Sequence, residues 1–223
     1  MGTVTELIIE KRGLVEHNKR HKKLRLLVSR LNKERKKQAK RIDILCNDFI
    51  AAQRQFIKRL NTLSFKANFY EEIMGTRELS GLLQTTCKLI RDEIPDANVV
   101  FFLRRADSLE LHIFESNQAT TLERQHLENC FTPELVNNIC NSNKLCELDD
   151  MFALGLQGNL NVLSKISAIT IPLGQLGPSL GFILLYRSSD NKFTAEELDD
   201  IVAVTPGLSQ AIQSRRSLLH SAG

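Results

Sequence analysis

The chain has 223 residues, of which 25% are charged and 42% hydrophobic, with a formal net charge of +4; this is the balance of a globular protein and excludes global disorder or a fibrous repeat. Its longest apolar runs, 99–103 and 182–186, fall far short of the ~20 residues that cross a bilayer. The N-terminus has no apolar core followed by a small-residue cleavage site, so no secretory signal is expected and the cytoplasm is the expected location.

In chain order, residues 1–13 are expected to be a flexible N-terminus and residues 14–74 a basic coiled-coil helix. A heptad register over this stretch puts Leu24, Val28, Leu31, Ile42, Leu45, Phe49, Ala52, Phe56 and Leu63 at a and d positions. A narrow apolar stripe of that length asks for a partner helix, because one straight helix has nothing of its own to close it. Arg35 and Gln38 interrupt the stripe and are expected to loosen pairing locally, so the tightest pairing is expected from 42 to 63.

The charge is unevenly spread. Residues 1–80 hold 19 Lys and Arg against 9 Asp and Glu, while residues 81–223 hold 11 against 17. Within the arm, Lys19, Arg20, Lys22, Lys23, Lys33, Arg35, Lys36, Lys37, Lys40 and Arg41 make a cationic stretch that Glu34 alone offsets. Such a stretch can neutralise the phosphates of a nucleic acid or of an anionic lipid surface, or serve only as a solvated coiled-coil face. No aromatic residue lies between Lys11 and Asp48, so base stacking on single strands is not expected there. The Asn and Ala-Ala pattern of leucine-zipper basic regions is also absent.

Gly75 and Thr76 mark the expected break, with Thr76 as the cap of a helix carrying Leu79, Leu82, Leu83, Cys87, Ile90 and Ile94 inward and ending at Pro95. Strands at 98–105 and 109–115 form a hairpin around residues 106–108, and residues 120–131 read as a weak helix. Thr132-Pro133 starts a short helix ending near Asn141. An edge strand at 144–148 and a long loop at 149–165, with one helical turn at most, come next. Strands at 166–174 and 179–189 form a second hairpin around 175–178. Thr194 and Glu197 open the last helix with a capping box, and Pro206-Gly207 is expected to kink or break it.

This order of elements, with LSGLLQTTCKLIRDEIPDANVVFFLRRADSLELHIFE, ELVNNICNSNKLCELDD and ITIPLGQLGPSLGFILLYRSSDNKFTAEELDDI, resembles a GAF domain over roughly residues 79–216. The last string carries most of the weight, through the strand ending in Pro172-Leu173, Gly181 opening the next strand, and residues 193–198 starting the closing helix. The resemblance implies an α+β fold in which a GAF-like domain, residues 76–216, follows the long helix and a polar tail occupies 217–223. It also implies an antiparallel sheet of five or six strands with the first and last helices together on one face and a ligand pocket on the other. Such domains sense small molecules or mediate dimerisation, often through long helices joined to an effector domain; none is expected after the closing helix here. Asn137-Asn138 stands where many relatives have glycine. Asn191-Lys192-Phe193 is similar to part of the motif of cyclic-nucleotide-binding members, whose elements are spread through the domain.

Five cysteines, Cys46, Cys87, Cys130, Cys140 and Cys146, are odd in number and scattered, which fits reduced thiols. His126 and Cys130 share a helical face, and Cys140 and Cys146 could approach them as zinc ligands, but the spacing is not that of a zinc motif. Some GAF-like enzymes reduce free methionine sulfoxide with pocket cysteines; here none lies in the loop before Ile166, where that chemistry needs one. No nucleophile elbow, His-Glu-x-x-His or phosphate-cradling glycine loop occurs. The expectation is a non-catalytic regulatory protein with no cofactor and no metal, a coiled-coil homodimer whose heads bind a small ligand or a signalling partner. The alternative is a nucleic-acid-binding scaffold acting through 19–41. The ligand-binding residues are not legible from the sequence.

Overall fold

The computed structural model describes residues 3–105, 108–114, 124–174 and 179–221, with side chains described from residue 17 to residue 217 except Arg105, Ser108, Arg124 and Leu160 within those ranges. Residues 106–107 of the turn expected at 106–108, the turn expected at 175–178 and the start of the weak helix at 120–123 lie outside them. The chain divides into two compact units, Met1–Arg59 and Leu60–Gly223.

The first unit is helix. Helix α1 spans Thr3–Met74, beginning ahead of the expected start at Leu14, and its last turns belong to the second unit. There Phe69 and Ile73 are buried.

The second unit is a five-stranded antiparallel sheet with helices on both faces. Helix α2 (Leu79–Glu93) leads to β1 (Asn98–Arg105) and β2 (Ser108–Phe114), then α3 (Arg124–Cys130), α4 (Pro133–Ser142), β3 (Cys146–Glu147), α5 (Leu148–Ala153), α6 (Leu160–Leu163), β4 (Ile166–Leu173), β5 (Gly181–Ser188) and α7 (Ala195–Ser221). The strand order is β2-β1-β5-β4-β3.

Strand alternation builds two cores. Val99, Phe101, Leu103, Ile169, Ile171, Ile183 and Leu185 face α2, α7 and the end of α1; their neighbours Val100, Phe102, Ala168, Phe182, Leu184 and Tyr186 face α3 to α6. Both faces being covered, the strands read as apolar runs rather than alternating ones. Gly181 is fixed by close approach: at φ +135°, a Cβ there would lie 1.8 Å from the Phe102 carbonyl oxygen.

Four local expectations are corrected. Thr76 does not cap α2; its hydroxyl donates to the Ile73 carbonyl at 2.7 Å, finishing α1, and α2 starts after Glu78 with no side-chain cap. The edge strand shrinks to Cys146–Glu147, because Leu148 already opens α5, where Asp150 accepts the Glu147 N–H at 3.0 Å. The loop at 149–165 holds most of α5 and all of α6. Helix α7 runs through Pro206 unbroken. The Val202 carbonyl, which loses its usual N–H donor to the proline ring, instead accepts from the Thr205 hydroxyl at 2.9 Å.

Candidate functional site

Two regions carry chemistry in excess of what the fold needs, and each is best described within its own unit. In the first unit, every described side chain is exposed. The apolar ones include Leu24, Val28, Leu31, Ile42, Leu45, Phe49 and Phe56, at 50–69% exposure, together with Leu27, Ile50 and Ile57 outside the heptad seam. Ala52 is also exposed, as is Leu63 in the second unit's share of α1.

At roughly 100° per residue, Leu24 and Ile42 share one azimuth, as do Leu27 and Leu45, Val28 and Cys46, and Leu31 and Phe49, each pair being eighteen residues or five turns apart. From 42 to 57, Ile42, Leu45, Cys46, Phe49, Ile50, Phe56 and Ile57 fan over about 140° around that azimuth. Ala52 lies just beyond the edge of that fan, and the exposed Leu26 and Ile44 fall on the far side. The face is therefore wider than an a/d seam and keeps the 3.6-residue period of a straight helix.

The basic residues lie opposite. Lys19, Lys22, Lys23, Arg25, Arg30, Lys33, Lys36, Lys37, Lys40 and Arg41 fall in an arc of about 160° centred on the far side, while Arg20 and Arg35 fall within the apolar half. All of them are exposed. Lys37 meets Glu34 at 3.2 Å in a solvent-exposed pair, which neutralises little.

In the second unit the most connected polar side chain is Arg187, on the last turn of β5. It is 3% exposed, bonding Asp96 at 2.9 Å and both Glu197 oxygens at 3.0 and 2.9 Å. Its Nε donates to the Asn191 carbonyl at 2.8 Å and its Nη2 to the Lys192 carbonyl at 2.7 Å, while its Cζ stands 4.3 Å over the Phe193 ring. Asn191 also donates to Asp96. The Asn-Lys-Phe string thus serves as the collar of a buried guanidinium, tying the α2–β1 turn to the start of α7. One signal for this is visible in the sequence, an arginine near the end of an otherwise apolar strand.

Burial taken alone would push the Glu197 carboxyl up, but hydrogen bonds from Arg187 and from the Thr194 N–H and hydroxyl, at 2.7 and 2.9 Å, hold it below the usual value. The Thr194–Glu197 capping box is closed by the Glu197 N–H on Thr194 Oγ1 at 3.3 Å.

The face of the sheet where the resemblance places a ligand is occupied at its centre by Phe102, Phe131 and Phe182, with ring centroids 4.7, 4.8 and 6.0 Å apart. Cys130, Cys140 and Cys146 are buried in the same layer, and Cys87 in the other. Burial pushes the Cys130 and Cys140 thiols up, and Cys87 up to about 11. Among the described residues no three His, Cys, Asp or Glu side chains gather to hold a metal.

A cavity of about 540 Å³ lies along the end of α1 and α7, lined by Tyr70, Ile73, Met74, Pro206 and Arg215 among others. Arg215 donates to the Thr76 carbonyl at 3.1 and 2.8 Å, and Arg216 to the Arg104 carbonyl at 2.5 Å and to Glu110 at 3.2 Å. Sequence reasoning missed both arginines, which stand at the end of the GAF-like domain, just ahead of the tail at 217–223.

Three solved structures share this architecture. The GAF domain of a phosphoenolpyruvate-protein phosphotransferase from Coxiella burnetii matches with a TM-score of 0.50 at 18% identity, over 71% of this chain and 96% of its own. The GAF domain of the Acinetobacter phosphoenolpyruvate-protein phosphotransferase gives 0.51 at 14%, over 70% and 94%. A methyl-accepting chemotaxis protein fragment, residues 122 to 287, gives 0.50 at 15%, over 67% and 98%. No protein-family model and no curated protein matches the chain. The second unit has the GAF fold. No helix among the described residues is long and apolar enough to cross a membrane.

Proposed function

We propose that the protein is a non-catalytic regulatory module that pairs with a second copy of itself through α1 and carries a GAF-fold head on each copy. The observation that carries this reading is the exposed apolar face between Leu24 and Ile57, which no element of the first unit covers. Large contiguous apolar faces on a folded chain are sites of association, and a second α1 supplies the same face in complementary form. The GAF fold of the head, found in phosphoenolpyruvate-protein phosphotransferases, and its likeness to a chemotaxis-protein fragment support a regulatory reading. Burial that pushes the Cys130 and Cys140 thiols up supports the absence of thiol catalysis there, since the thiolate is the reactive form.

The head's effector is a small ligand or a protein segment, and the phenylalanine trio favours the latter, because filling the centre of that layer leaves less room for a ligand there. Sedimentation of the full chain at micromolar concentration should give twice the 25.3 kDa chain mass. Phe49→Glu with Phe56→Glu should give a helical monomer. A wild-type monomer at that concentration rejects the reading. Native mass spectrometry of the same sample reports any small molecule retained by the head.

A further inference from the structure

We propose that the basic arc of α1 between Lys19 and Arg41 is a docking surface for double-helical DNA. The inference goes beyond self-association and does not depend on it.

Twelve Lys and Arg stand in this stretch against Glu34 alone, and all are exposed. Ten of them share one arc, which also carries Leu26, so their charges are concentrated on one surface instead of spread around the helix. Over 23 residues the arc runs about 34 Å, close to one turn of B-form DNA. Like charges this dense repel one another unless a polyanion meets them.

The azimuth of the arc separates the polyanions. A helix that lies on an anionic membrane sinks one uninterrupted apolar face and keeps its Lys and Arg on the other. Here Arg20 and Arg35 fall within the apolar half, so sinking it would carry two cations toward lipid, while Lys22, Lys33 and Lys40 sit almost opposite Leu24 and Ile42. The same opposition keeps the basic arc open when the apolar face is covered by another α1. No Phe, Tyr or Trp lies between residues 17 and 48, which favours phosphate contact over base stacking. A bare helix about 10–12 Å across matches the ~12 Å major groove of B-DNA, whereas the major groove of an RNA duplex is too narrow for it. The expected binding is strong at low salt and indifferent to sequence.

The test is a mobility shift of the full-length protein on a 30-base-pair DNA duplex between 50 and 200 mM salt. Four or more phosphate contacts predict a loss of affinity on the order of a hundredfold over that range. Replacing Lys33, Lys36, Lys37 and Lys40 together by Gln should reduce the slope of log affinity against log salt by about 3–4, whereas Lys88→Gln on α2 should leave it unchanged. Far-UV circular dichroism checks that the quadruple variant keeps its helix. Absence of a shift at 50 mM salt, a salt slope unchanged by the quadruple substitution, tighter binding of an RNA duplex, or binding only to vesicles containing 30% phosphatidylserine would each overturn the proposal. Because Phe49→Glu with Phe56→Glu leaves the arc intact, that variant should still bind, which separates this result from the outcome of the association test.

Discussion

Arg187 shows how a single side chain joins parts of the head that are distant in sequence. Its guanidinium leaves water for Asp96, Glu197 and two loop carbonyls, and a buried cation with every donor placed resists being moved. The pH consequence has a definite sign. A carboxyl whose folded pKa is lowered stabilises the fold above its unfolded value, and that contribution disappears as pH falls through the folded one. Glu197→Gln should therefore cost about 2 kcal/mol near neutral pH, or ~4–8 °C in melting temperature. The gap to wild type should close as pH drops below the ordinary 4.5. Thermal melts at pH 7 and pH 3 measure this, and an equal gap at both would remove the charge from the explanation. Of this cluster the capping box was readable in advance, because Thr194 and Glu197 are three residues apart. Asp96 and Arg187 are separated by 91 positions, and nothing local couples them.

Helix α7 illustrates what an element owes to its neighbours. Pro206-Gly207 looks like a break because proline removes a donor and glycine is a poor helix former. The helix continues because Thr205 replaces the missing donor and because the glycine is required by packing: a Cβ on Gly207 would lie 2.3 Å from Tyr70 Cε1. Gly207→Ala gains about 1 kcal/mol of helix propensity but incurs an overpacking penalty of ~1–3 kcal/mol. We expect net destabilisation in the wild type and a neutral or stabilising effect in a Tyr70→Ala background. Denaturant melts of the four proteins test this; strictly additive effects would mean that the two residues do not meet. Helix α1 poses the converse case. Its heptad spacing was legible, but the straight-helix period of its apolar face emerged only when Leu27, Ile50 and Ile57 were seen to be as bare as the seam itself.

Across the whole molecule the cysteines report on both layers at once. Cys46 is exposed, Cys87 lies under the α2–α7 layer, and Cys130, Cys140 and Cys146 lie under the opposite one. Alkylation at pH 8 should modify Cys87, Cys130, Cys140 and Cys146 only as the head opens. If the head unfolds cooperatively, the four should share one rate that rises with denaturant. Fast modification of any of them in the native protein would contradict the burial described here.

The sequence by itself determined the antiparallel GAF-like order, the α2, α4 and α7 helix faces, the second hairpin and the separation of a basic arm from an acidic head, because these follow from spacing and composition within short stretches. Only the tertiary structure decided that Arg187 would gather the Asn-Lys-Phe string, that Arg215 would reach back to Thr76, that α5 would cut the edge strand short and that three phenylalanines would fill one face of the sheet. Those outcomes depend on which distant segments are brought together, and the free energy of a buried charge or a packed ring is set by neighbours that local sequence does not name.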